Sequence, residues 1–121
     1  MKKRKIAILG TKYTIRKKTF REEPLFGERN IDGYCDGHLK EIVYCDLVTH
    51  PAFSNESEEY CNSCEKATIR HEIIHAFFNE SGLMENSAKF QHGWSQNEEM
   101  VDWFALQCPK ILKIFRKLDI L

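Results

Sequence analysis

The pentad His71-Glu72-Ile73-Ile74-His75 constrains this chain more than any other stretch. On an α-helix, positions i and i+4 lie on one face, so both imidazoles can reach a single zinc ion. Glu72 is offset too far to ligate. It is angled toward the open side of such a metal, where a water would sit, and suits a general base. The bland reading is two histidines that share a helix face by coincidence. It loses ground because the pentad lies inside a credible helix, as the chemistry requires.

Asn62 with Glu65, and Asn55 with Glu58, both have capping-box spacing, so the helix starts at one or the other. Gly82, in Asn79-Glu80-Ser81-Gly82, is placed to end it. Ala67, Ile74, Phe77 and Phe78 supply its apolar face. Ser95 with Glu98 announces a second helix carrying Val101, Phe104, Ala105 and Cys108. Pro109 is expected to interrupt it. That leaves Ile111, Leu112, Ile114, Phe115 and Leu118 to a third amphipathic helix with Lys and Arg outside.

Upstream, residues 5–18 read as a bent strand or hairpin broken at Gly10, and 22–29 as a loop holding Pro24 and Gly27. Residues 32–37 and 41–45 read as two strands around a turn at Asp36-Gly37-His38. The expected fold is α+β. A small, mostly antiparallel sheet of three or four strands packs on the His71–His75 helix, a glutamate-bearing second helix and a C-terminal helix. At 121 residues the chain suits one domain, 1–121.

A catalytic zinc needs a third protein ligand and one open position. Glu98 and Glu99 on the second helix, and His92 before it, are available. No HExxHxxGxxH continuation exists, since Ala76-Phe77-Phe78-Asn79-Glu80-Ser81 follows His75, so the metzincin pattern is excluded. Glu98 and Asp102 lie four apart. A ligating carboxylate with another one turn on suits zinc, because the second can accept a hydrogen bond from the far nitrogen of a ligating histidine. A capping box between Ser95 and Glu98 would turn Glu98 back to the main chain. Glu99 could then ligate, but it would lose the i, i+4 partnership with Asp102. Glu98 is therefore preferred.

HExxH followed on a later helix by Asn97-Glu98-x-x-x-Asp102 resembles the gluzincin zinc peptidases. That resemblance implies His71, His75 and Glu98 as ligands of one Zn²⁺, Glu72 as general base, and Asp102 as the partner of His71. The small size, the strands before the active-site helix and the run Glu98–Ala105 are closer to the ImmA/IrrE-type metallopeptidases of bacteria and phages. The resemblance covers roughly residues 5–115, with specificity only in the two motifs. This chain departs from the family in having Asp102 where the family has Asn. It also lacks an attached helix-turn-helix, so a DNA-directed role would need a partner.

The implied activity is peptide-bond hydrolysis of a protein or peptide substrate. Zinc lowers the pKa of water and polarises the carbonyl, and Glu72 moves the proton. Tyr60, His92, Arg70 and His50 are available as an oxyanion donor, with His92 in a Gly-bearing loop the first choice. Strand 40–45 is the expected edge for an extended peptide. The alternative is a catalytically silent, zinc-stabilised interaction module that binds a phage or host regulator.

Charge narrows the partners. The formal net charge is zero, but residues 1–21 carry nine basic groups and no acidic one, while 22–109 carry 17 acidic against five basic. Neutrality disfavours a dedicated nucleic-acid binder. The basic N-terminal arm reads first as a solvated terminus and strand edge. No apolar run reaches the length of a membrane span, so no membrane partner is expected. Five cysteines without a secretory signal suggest free thiols and a cytoplasmic setting, with Cys61 and Cys64 simply one helical turn apart. Trp94 and Trp103 are expected in the core or a pocket wall.

Overall fold

The computed structural model describes residues 3–87 and 93–121. Strands β1 (Lys3–Ile8) and β2 (Thr11–Thr19) form a hairpin whose register pairs Ile8 with Thr11. The two-residue loop between them, Leu9-Gly10, has φ of +48° and +85°. Both central residues of a type I′ turn are left-handed, and Gly10 supplies one without steric cost.

Residues 22–29, expected as plain loop, contain one helical turn, α1 (Leu25–Glu28), started at Pro24. Its anchor is Phe26, which is buried against Val43 and Cys45. Strands β3 (Gly33–Asp36) and β4 (Glu41–Asp46) follow. Asp36 opens the turn between them, its Oδ1 accepting the N–H groups of His38 and Leu39 at 2.9 Å each.

The sheet order is β1-β2-β4-β3. Two pairings are antiparallel, and β2 with β4 is parallel. The expectation of a mostly antiparallel sheet is met. However, strand 40–45 is not an edge: β4 is inserted beside β2, and β3 takes the outer position. A short local turn cannot make a parallel pair, so the chain crosses through α1 and β3 first.

Alternation divides β4 between two faces. Ile42 and Tyr44, with Ile15 of β2, pack beneath Ile69, Ile73 and Ala76. Those three belong to helix α2 (Glu58–Phe78). Val43 and Cys45 face the opposite way, toward Phe20 and Phe26. Helix α2 starts at neither expected box. Ser57 is its cap and its Oγ accepts the N–H of Tyr60 at 3.1 Å. Position 60 is a tyrosine, so no reciprocal glutamate bond forms and the spacing rule had no purchase there.

Helix α2 ends at Phe78, before Gly82. A wide turn, Asn79–Leu83, holds Gly82 at φ +93° and leads into the short α3 (Met84–Ser87). A turn at Trp94–Gln96 precedes α4 (Glu98–Lys117). Pro109 does not break this helix, so the expected second and C-terminal helices are one. Its ring lies at an exposed position, and the apolar face on either side of it is continuous.

The layers run sheet, α2, α4. The positions expected to give α2 its apolar face, Ala67, Ile74, Phe77 and Phe78, are turned away from the sheet by the 3.6-residue period. Phe78 instead meets the rings of Phe104 and Trp94, at 5.7 and 6.2 Å, while Phe77 is exposed. Trp94 and Trp103 are each about half exposed, not core. Glu65 on the sheet side is buried, 3.0 Å from Lys17 of β2, and accepts the N–H of Leu47 at 3.0 Å.

Candidate metal centre

Helical period and one side-chain cap bring the site together. His71 and His75 stand one turn apart on α2, with their Nε2 atoms 3.2 Å from each other. Glu98 opens α4, and its carboxylate reaches both, at 2.9 Å from His71 Nε2 and 3.0 Å from His75 Nε2. Glu98 is free to do so because Asn97, not Ser95, caps the helix, its Oδ1 accepting the N–H of Met100 at 3.0 Å. The expected conflict between capping and ligation therefore does not arise. Glu99 points elsewhere, lining a shallow apolar surface with Trp103 and Leu106.

The outer nitrogens fix the chemistry of the inner ones. His71 Nδ1 lies 2.6 Å from Asp102 Oδ1, and His75 Nδ1 lies 2.7 Å from the carbonyl oxygen of Ser95. Both partners only accept, so each Nδ1 carries a proton and donates. In the neutral imidazoles the two Nε2 atoms then present bare lone pairs to each other and to a carboxylate. Three acceptors converge. One shared proton can satisfy one of these contacts, whereas one metal ion can satisfy all three. Ligand atoms about a tetrahedral zinc, each at ~2.0–2.1 Å, stand ~3.3 Å apart, close to the spacing found. The donor set of two imidazoles and a carboxylate fits that ion.

Glu72 is turned toward the sheet side of the same centre, with Oε1 3.7 Å from His71 Nε2. His71, Glu72 and His75 form a compact group able to hold a cation. Burial pushes the Glu72 carboxyl up to about 7; His71 acts against this, and the charges of Glu98 and Asp102 add to it. Cys35 of β3 lies close by, its thiol pushed up to about 12 by burial and by the charge of Glu72.

The centre opens onto a groove of about 980 Å³ between β3 with its following turn, α2 and α4. Cys45 N–H donates to the Asp32 carbonyl at 2.8 Å. By alternation along an antiparallel strand, the main-chain groups of Gly33 and Cys35 therefore point away from β4, along the free edge. Gly33 lets this edge lie close to α2, since a Cβ there would stand 2.7 Å from Thr68 Cγ2. Among the expected oxyanion donors, Tyr60, Arg70 and His50 do not line the groove. His92 lies outside the described residues.

Sequence reasoning missed two contributors. The Ser95 carbonyl is a main-chain group with no signature of its own. The β3 edge depends on strand order, which the local pattern does not encode. No family model, curated protein or solved structure matches this chain in the comparisons made.

Proposed function

We propose that the protein is a zinc-dependent metallopeptidase acting on a protein or peptide substrate. The observation that carries the reading is the convergence of His71 Nε2 and His75 Nε2, 3.2 Å apart, on the Glu98 carboxylate, whose Oε2 lies 2.9 Å from the first and Oε1 3.0 Å from the second, while both Nδ1 atoms are committed as donors. His71, His75 and Glu98 would hold one Zn²⁺. When bound, the ion would make water more acidic and polarise the scissile carbonyl.

The chain's own groups supply the rest. Asp102 and the Ser95 carbonyl hold the imidazoles in the tautomer that offers Nε2 outward. A substrate strand can add to β3 through the main-chain groups of Gly33 and Cys35, which carries its backbone past Glu72. Glu72 takes one proton from water as the oxygen joins the carbonyl carbon, then gives it to the leaving nitrogen as the C–N bond breaks. A reducing, cytoplasmic setting belongs to the same reading, and none of the five cysteines is in a disulfide.

Glu72→Gln is the test. It should keep stoichiometric zinc and lower cleavage of a peptide library by roughly 10²–10⁴-fold. Zinc binding without cleavage by the parent protein would leave a zinc-stabilised interaction module in its place. Purified protein without zinc, and unmoved by EDTA, would end the metal reading itself.

A further inference from the structure

We infer that the C-terminal half of α4 docks in the plane of an anionic bilayer surface. Beyond Cys108 the helix outruns its cover: Ile111 is half-buried, and every residue from Leu112 to Leu121 is exposed. Among them Ile114 is 57% and Leu118 60% exposed, far more than a packed helix face leaves open. At about 100° per residue, Ile111, Leu112, Ile114, Phe115 and Leu118 fall within an arc of roughly 160°. Lys110, Lys113, Arg116 and Lys117 occupy the remainder, and no acidic side chain lies between Pro109 and Leu118.

The charges choose the occupant. Arg116 borders the apolar arc beside Leu112, and Lys110 and Lys117 border it beside Ile114. A second copy packed on this arc, in either direction, would set cation against cation along the seam. The arc is also broader than the narrow seam of a coiled coil. A flat anionic surface suits both features, since the apolar side chains enter the acyl boundary while the flanking cations reach lipid phosphates. Ile120 and Leu121, just past the end of the helix, are exposed as well. The expectation of no membrane partner rested on the lack of a span. Among the described residues no helix is long and apolar enough to cross a membrane, but an in-plane helix need not be.

Flotation of the whole protein with phosphatidylcholine vesicles, with and without phosphatidylglycerol, tests this. Binding should be at least roughly tenfold stronger to the anionic vesicles and weaken in high salt. It should fall to background both in Phe115→Asp/Leu118→Asp and in Lys113→Glu/Lys117→Glu. These positions are exposed, so unchanged thermal melting is expected to show that both variants fold. Binding that survives Phe115→Asp/Leu118→Asp would place the contact on the basic N-terminal strands and overturn the inference. So would an absence of vesicle binding, whether or not light scattering shows a dimer that the same variant dissociates. None of these readouts depends on the metal centre.

Discussion

Replacing Asp102 by Ala perturbs the proposed centre without removing any of its proposed ligands. The carboxylate holds His71 Nδ1 at 2.6 Å, a short charge-assisted bond that fixes both the ring and its tautomer. Loss of such a partner typically weakens metal binding about 10- to 100-fold, or ~1.4–2.7 kcal/mol. The Asp102 side chain is 61% exposed, so water screens part of its charge and the expected loss lies nearer the tenfold end. At fixed free zinc well above both dissociation constants, the same difference appears in folding stability. For a chain of this size it lowers the zinc-loaded Tm by roughly 5 °C at tenfold and about 11 °C at a hundredfold. Melting in zinc buffers of graded free concentration reads both quantities at once. Asp102→Asn, which keeps a carbonyl acceptor, should lose less than Asp102→Ala. The reasoning is refuted if Asp102→Ala binds zinc within about twofold of the parent, or if zinc does not raise the parent's Tm.

Three further outcomes follow from the packing. Glu65→Ala leaves the Leu47 N–H unpaired beneath α2, while Lys17 keeps Asp46 at 3.7 Å, and should cost about 1–3 kcal/mol in urea denaturation; a change below about half a kcal/mol would show that the buried bond does not matter. Gly33→Ala brings a Cβ to 2.7 Å from Thr68 and 2.9 Å from the Val43 carbonyl. It should destabilise by about 1–3 kcal/mol, and an unchanged melting curve would mean that β3 moves off α2 freely. Glu80 is held below the usual carboxylate range by Lys40 and by the Tyr13 hydroxyl. Its folded pKa is depressed, so its contribution is present above the unfolded carboxylate range and is lost as pH falls through the folded value. Urea midpoints taken from neutral pH down to about pH 3 should therefore fall less steeply in Glu80→Gln, and parallel slopes would contradict the assignment.

What was legible in the sequence was local. His71, Glu72 and His75 needed only a helix through them, and the 3.6-residue period does the rest. Asp102 followed from Glu98 by the same spacing, and the hairpin broken at Gly10 by its turn chemistry. Helix ends were less legible, because several side chains compete for one set of orphan N–H groups. Ser57 prevails over Asn55 and Asn62, and Asn97 over Ser95. Pro109 removes a donor but does not oblige a break where its position is exposed and the apolar face runs on. The faces of α2 were misassigned for a different reason. The helix is covered on two sides, by the sheet and by α4, so no single apolar stripe marks its core side.

The sequence by itself determined the chemical inventory of the site: two imidazoles and three carboxylates, each set by spacing within one helix. Only the tertiary structure decided how the two helices meet. That meeting brings Glu98 to both histidines, puts the Ser95 carbonyl against His75, and makes β3 rather than β4 the open edge beside Glu72. The physical reason is that contacts across elements depend on strand order and on which helix face finds cover. Burial summed over the whole chain fixes both, and no window of neighbouring residues contains them.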